Sequence, residues 1–235
     1  PLERFERYLS AEAGGKSVLP TPASSHPEIV LTGSSHTNRG GEDMTNSTGW
    51  LREALDTDVH NVGVDGGGYS TGLLHWMDSP EVRSHPPKLL SVEMSARIPQ
   101  NIPSFMRQAI PTIYGDCSAP TATGKVTLGG QAAPLLYVPA GTGSGGSYVV
   151  LDISDPELLN FVVSFTLSTG VEDFVPVVRS PRKPNNGRFY VEAPLSTLNL
   201  AGVRIDAGKT SRATISSRLC MLPASEAGVQ SLAAK

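Results

Sequence analysis

The chain has 235 residues, 39% hydrophobic and 17% charged, with a formal net charge of −3. That length and balance allow one large domain or two smaller ones with real cores and exclude disorder as the main state. The acidic excess excludes a nucleic-acid binder that relies on counterion release, and no apolar run approaches the roughly 20 residues of a membrane span. The 24 glycines and 19 prolines predict many turns. The sequence opens at Pro1 without an initiator Met or signal-peptide pattern, so it reads as processed or cut, with upstream sequence expected.

In chain order, residues 27–32 (PEIVLT) read as a short buried strand. Residues 50–55 (WLREAL) predict a helix with Trp50, Leu51, Ala54 and Leu55 on one face. A second strand is expected at 59–64 (VHNVGV), a helix at 69–77 and a third strand at 88–94 (KLLSVEM). Strand and helix alternating in this way predict a parallel sheet with crossover helices, an α/β portion spanning residues 1–115. After Tyr114 the helical period disappears. Short β-rich runs follow at 125–128, 135–138, 148–152, 161–167, 174–178, 188–192, 203–206 and 213–217, separated by Gly, Pro and Asn turns. They predict an all-β sandwich, jelly-roll-like, over residues 116–235. Acids outnumber bases before residue 116 and the two nearly balance after it. The stretch 141–146 (GTGSGG) reads as a flexible loop, because no Lys-Ser or Lys-Thr follows it as a phosphate cradle requires.

Cys117 and Cys220 are too far apart for a CxxC clip and have no neighbouring histidine, so no metal site is expected. Two buried free thiols and a single disulfide both remain open. The pair brackets the β-rich half almost end to end, which favours the disulfide and an oxidising compartment.

The most pointed feature is Leu31-Thr32-Gly33-Ser34-Ser35-His36, at the carboxyl end of the first expected strand. Ligands of open α/β sheets bind beyond that end. A serine in such a turn exposes its hydroxyl while backbone N–H groups point at a developing oxyanion. A Ser-rich loop that merely caps the next segment is the plain alternative. The next strand ends in Asn61-Val62-Gly63-Val64-Asp65-Gly66-Gly67-Gly68-Tyr69, whose glycines are natural second oxyanion donors. Together the two turns resemble the first two blocks of the SGNH hydrolases.

A longer succession narrows the resemblance. "LTGSSHTN", then "GWLREALDTDVHNVGVDGGGY", then "SPEVRSHPPKLLSVEMSAR" is similar to the SGNH-like domain of the alginate O-acetyltransferases, the AlgX and AlgJ group. That family's closing Glu-x-Pro-x-Arg stands here as Glu93-Met94-Ser95-Ala96-Arg97, with Ser95 replacing the proline. A β-rich C-terminal half bracketed by two cysteines resembles the AlgX branch, whose carbohydrate-binding module is spanned by a disulfide. The resemblance implies a periplasmic enzyme without a cofactor that transfers acetyl groups to alginate, an anionic polysaccharide. It also implies an acetyl donor supplied by a partner protein and contact with other polysaccharide-biosynthesis proteins. It assigns Ser35 as nucleophile, and Gly66, Gly67, Gly68, Tyr69 and Arg97 as oxyanion and substrate residues. Arg97 would hold a uronate carboxylate, with a salt bridge to Glu93 as the plainer role; Tyr69 would stack on a sugar ring or pack in the core.

Serine chemistry also needs a base and an acid that orients it. Typical SGNH enzymes carry Asp-x-x-His near the C-terminus, yet all five histidines precede residue 116. The alginate group carries Asp-x-His upstream of the serine, and no aspartate precedes Ser35. Asp58-Val59-His60 has the right letters but falls at the wrong end of a strand, and His36 adjoins the serine. The pair is therefore expected on upstream sequence, and this piece alone is expected to be inactive. In the second half, Arg179, Arg182, Lys183 and Arg188 cluster without a local acid, which predicts an exposed loop for a polyuronate or simply a solvated turn. A non-catalytic polysaccharide scaffold and a plain serine acetyl esterase are the competing readings.

Overall fold

The computed structural model describes residues 28–33, 37, 47–57, 59–94, 102–129, 132–143, 146–182, 186–196, 198–208 and 212–222. Two compact units make up the chain, Pro1–Ala96 and Arg97–Lys235.

In the first unit β1 (Ile29–Thr32) is the middle strand of a parallel sheet, with β2 (Val59–Asn61) on one side and β3 (Leu89–Val92) on the other. Leu31 stands opposite both Asn61 and Ser91, so the three strands finish nearly level. Among the described residues its helices are α1 (Ser47–Leu55), α2 (Gly68–Met77) and the short α3 (Pro80–Ser84). Val30 and Val59 are fully buried, and Leu73, Leu74 and Met77 of α2 are buried too. At Gly72 a Cβ would collide with the Val62 carbonyl oxygen, so the absence of a side chain lets α2 lie directly on the chain leaving β2. The buried face of α1 differs from the expected one: Thr48 and Arg52 are buried while Ala54 and Leu55 are exposed. Arg52 turns inward because its Nε and Nη2 donate to the Val59 carbonyl at 3.1 and 2.7 Å, satisfying the first residue of β2.

The second unit begins with a helix, α4 (Ile102–Tyr114). Eight strands follow: β4 (Ala122–Thr127), β5 (Ala133–Tyr137), β6 (Ser147–Ile153), β7 (Asn160–Leu167), β8 (Glu172–Val178), β9 (Arg188–Glu192), β10 (Leu200–Asp206) and β11 (Thr214–Met221). They form two antiparallel sheets, β5-β10-β7-β8 and β4-β11-β6-β9. Side chains from both sheets share one core: Val163 and Phe165 of β7, Val175 of β8 and Val203 of β10 with Val149 of β6, Val191 of β9 and Ile215 of β11. Phe161 of β7 meets Phe189 of β9 edge to face at 4.9 Å. At one side β4 and β5 approach so closely that a Cβ on Gly124 would strike the Leu135 carbonyl. At the other side α4 packs against β9 and β8.

The division after Ala96 groups α4 with the strands, and the expected boundary at residue 115 falls at the end of that helix. Polar anchors hold it there. Arg107 Nε and Nη2 donate to the Glu192 carbonyl at 3.0 and 2.7 Å, its Nη1 pairs with Asp173 at 2.5 Å, and Gln108 Nε2 reaches the Pro176 carbonyl at 3.3 Å. Cys117 and Cys220 form a disulfide with Cα atoms 5.8 Å apart, the favoured of the two thiol readings. Around it Tyr148, Val150, Tyr190 and Leu222 make a second apolar cluster, and the Tyr148 hydroxyl donates to the Gly115 carbonyl at 3.1 Å. Among the described residues no helix is long and apolar enough to cross a membrane.

Candidate active site

The carboxyl rim of the parallel sheet is built from the exits of its three strands. The Val62 N–H donates to Leu31 O at 2.9 Å and the Glu93 N–H to Thr32 O at 2.8 Å, so the ladder continues one residue past β2 and β3. Gly33 follows β1 and sits against Thr37 and Glu93: a Cβ there would lie 2.5 Å from Glu93 Oε2. Gly63, two residues past β2, faces Thr37 equally closely, a Cβ there lying 2.5 Å from its Oγ1 and 3.2 Å from Gly33 O. At positions 33 and 63 the space a side chain would need is already taken by Thr37, Glu93 and Asn61.

Ser35 and its neighbours Ser34 and His36 lie outside the described residues, as do Asp58 and Arg97. Gly33 and Thr37, the described residues on either side of Ser34–His36, are both buried. The expected oxyanion glycines lead into α2. Gly66 and Gly68 adopt φ of 68° and 62°, the left-handed region that glycine enters without steric cost. Gly67 caps α2, where no side chain caps the helix. Its own N–H is spent on the Val64 carbonyl at 2.8 Å, which removes Gly67 as an oxyanion donor. Gly68, as the first helical residue, has an N–H that helical bonding does not use.

Tyr69 takes the second of its two expected roles, packing in the core. Its side chain is 6% exposed and belongs to the core of the unit, and its carbonyl accepts from Thr32 Oγ1 at 2.9 Å. Burial raises its phenol above the usual value. A ring so enclosed holds α2 to β1 and does not stack on a sugar. His60 lies within β2 opposite Val30, its ring tilted against Trp76 at 6.4 Å.

In the second unit two of the four expected cations, Arg179 and Arg188, are engaged by partners remote in sequence. Arg179 Nη1 donates to Gln108 Oε1 at 2.8 Å and its guanidinium stands 5.5 Å over the Phe189 ring. Burial lowers its pKa to about 10. Arg188 stands opposite Asp152 across the β6–β9 pair and donates to it at 2.7 Å, and that bond, more than any other influence, raises its pKa. Asp152 also pairs with Arg218 at 2.6 Å, and Arg218 with Asp116 at 2.9 Å. The sequence around Arg188 holds no acid, but β pairing supplies one. Arg182 is exposed, and Lys183 lies outside the described residues. Among the described residues, the one grouping with metal-ligand chemistry is Asp116, Cys117 and Cys220, and its two sulfurs are already bonded to each other.

This architecture has close counterparts. Residues 9–96 match the family model of the SGNH hydrolase-like domain of acetyltransferase AlgX. Over those residues the first unit is similar to that SGNH hydrolase-like domain. Alginate biosynthesis protein AlgX of Pseudomonas aeruginosa is 30% identical over 171 residues, which are 71% of this chain and 35% of that protein. The protein of the same name from Pseudomonas fluorescens is 24% identical over 243 residues, 99% of this chain and 49% of that one. A solved structure of Pseudomonas aeruginosa AlgX superposes with a TM-score of 0.71 at 23% identity, over 85% of this chain and 49% of that chain, so the fold is shared. The chain is AlgX-like, and it spans about half or less of the length of these relatives.

Proposed function

We propose that this chain is part of an acyltransferase that O-acetylates alginate through Ser35, with its second unit acting as a jelly-roll-like β-sandwich module that holds the polymer. The observation that carries this reading is the position of Gly33 and Thr37, the described residues flanking Ser34–His36, at the carboxyl rim of a parallel sheet beside Gly63. The relatives' role in alginate biosynthesis supplies the polymer class, and the disulfide fits an oxidising compartment such as the periplasm.

In the proposed course the Ser35 hydroxyl oxygen bonds to the carbonyl carbon of an acetyl donor, its proton passing to the histidine of an Asp-x-His pair expected on upstream sequence of the same protein. The carbonyl oxygen, now negative, is held by the N–H groups of Ser35 and Gly68 or Gly66. The donor's leaving group departs with the proton. A sugar hydroxyl then attacks the acetyl-serine, giving its proton to the same base, which passes it on to Ser35 Oγ as the serine ester bond breaks. Arg97 is the candidate partner for the uronate carboxylate.

The test is labelling of the full gene product with a serine-directed fluorophosphonate, followed by peptide mapping. Modification at Ser35 that disappears in Ser35→Ala supports the reading. An unlabelled Ser35 in a folded protein that still binds alginate would leave a polysaccharide scaffold. Hydrolysis of acetyl esters with no transfer to mannuronate oligomers would leave an esterase.

A further inference from the structure

We infer that Asn61 is the positioning residue of the acyl-transfer site, a clamp that fixes the chain at Thr37, two residues past Ser35, against the chain leaving β2 at Gly63; this rests on the serine reading above. Asn61 is the last residue of β2, opposite Leu31. Both ends of its carboxamide are used at the rim: Nδ2 donates to the Thr37 carbonyl at 3.0 Å, and Oδ1 accepts the Gly63 N–H at 2.8 Å. One bond therefore grips the chain that has left β1, two residues past Ser35, and the other grips the chain that has left β2 on its way to Gly66–Gly68.

The chemistry of the amide explains the choice. A donor and an acceptor on one rigid plane join a carbonyl and an N–H, and among side chains of this length only asparagine offers both. Aspartate keeps the Gly63 bond but turns a second acceptor toward the Thr37 carbonyl. Leucine, of similar shape, leaves both backbone groups unpaired. The space is fully committed, because a Cβ on Gly63 would lie 2.9 Å from Asn61 Oδ1 and 2.5 Å from Thr37 Oγ1. Packing sets how closely the two exits approach, and the amide sets their register. Asn61 touches no reacting atom in this scheme. Its effect on the reaction runs through the separation of nucleophile and oxyanion donors, where a misplacement of about 1 Å costs about 100-fold in rate.

The experiment compares Asn61→Asp, Asn61→Ala and wild type in the full gene product, with p-nitrophenyl acetate as acetyl donor and the fluorophosphonate as probe of Ser35. Rates are divided by the folded fraction found by thermal unfolding of the same samples. Both variants are expected to lose about 10- to 100-fold in kcat and in labelling rate per folded molecule, with KM within about twofold of wild type. Asn61→Asp, which retains the Gly63 bond, keeps the experiment decisive should Asn61→Ala fail to fold. Wild-type kcat and labelling per folded molecule in Asn61→Asp would overturn the clamp while leaving the serine reading intact. An unlabelled wild type would overturn the serine reading, and the clamp with it.

Discussion

Arg107 of α4 donates to the backbone carbonyl of Glu192, the last residue of β9, through two of its nitrogens at 3.0 and 2.7 Å. The third nitrogen pairs with Asp173 of β8, so one guanidinium joins the edge strands of two different sheets. A planar fork suits this task and a lysine does not. Arg107→Ala is expected to destabilise the second unit by about 2–3 kcal/mol, the range for charge-assisted bonds whose partners are left partly buried. Arg107→Lys should restore less than half of that loss. Urea unfolding of the three proteins measures it, and an Arg107→Ala midpoint equal to wild type would show that α4 is held by apolar contact alone.

Much of this arrangement is legible in the sequence. The alternation along 161–167 and 188–192 gives β7 and β9 because Phe161, Val163 and Phe165 face one core with Phe189 and Val191. α4 is not legible: Pro103 and Pro111 both lie within Ile102–Tyr114, and proline normally ends a helix. Its stabilising partners, Glu192 and Pro176, are remote in sequence. Arg188 misleads for the same reason, since its acid arrives by strand pairing. At the rim, Gly33 and Gly66–Gly68 stand out as turn residues, whereas Asn61 reads as an ordinary strand end until both ends of its amide are seen bonded.

The disulfide closes nearly the whole second unit, joining Cys117 just after α4 to Cys220 in β11. Limiting the unfolded chain over a loop of that length contributes up to about 4.7 kcal/mol on the loop-entropy model, and native disulfides commonly account for about 2–5 kcal/mol. The Cys117→Ala, Cys220→Ala double variant should therefore unfold at markedly lower urea concentration. Its loss should exceed that of Arg107→Ala if chain restriction governs. Equal midpoints for the double variant and the oxidised wild type would show that the cluster around Tyr148 and Tyr190 suffices alone.

Tyr148 links that cluster to pH. Burial, and next the nearby Asp116 charge, raise its phenol above the usual tyrosine value of about 10. A group with a raised folded pKa binds its proton more tightly in the native state. Its contribution is therefore fully present below about pH 10 and declines as pH climbs through the folded value. Tyr148→Phe, which also removes the bond to Gly115 O, should cost about 1 kcal/mol at neutral pH. It should flatten the fall in stability above about pH 10. Unfolding free energies measured at neutral and strongly alkaline pH check this, and parallel curves for variant and wild type would exclude Tyr148 as the source.

Gly124 and Gly129 make a matched pair in the second unit. A Cβ on Gly124 would strike the Leu135 carbonyl and come within 3.0 Å of Ser217 Oγ, while around Gly129 nothing lies within 4 Å. Ser217 Oγ also donates to Leu135 O at 3.1 Å, so the β4–β5 crossing has a buried polar bond to lose. Gly124→Ala should cost about 1–3 kcal/mol through overpacking, and Gly129→Ala should stay within about 0.5 kcal/mol of wild type. Similar unfolding midpoints for the two variants would show that the crossing yields without strain.

The polymer-binding reading separates two arginines by the same logic of partners. Arg188 is engaged by Asp152, so Arg188→Ala should chiefly lower stability, by about 0.5–1 kcal/mol for a partly exposed pair. Arg182 is exposed and sits in the segment whose cations the sequence groups together. Arg182→Glu combined with Lys183→Glu should weaken retention of the protein on immobilised alginate and flatten its salt dependence, because each lost cation removes an attraction that salt screens over about 10 Å at 0.1 M. Affinity chromatography across a salt gradient distinguishes the cases. Unchanged elution of the double reversal, together with early elution of Arg188→Ala, would move the polymer from the loop at 179–187 onto the outer face of the β4-β11-β6-β9 sheet. There Lys125 and Arg218 lie in neighbouring rows beside Ser216.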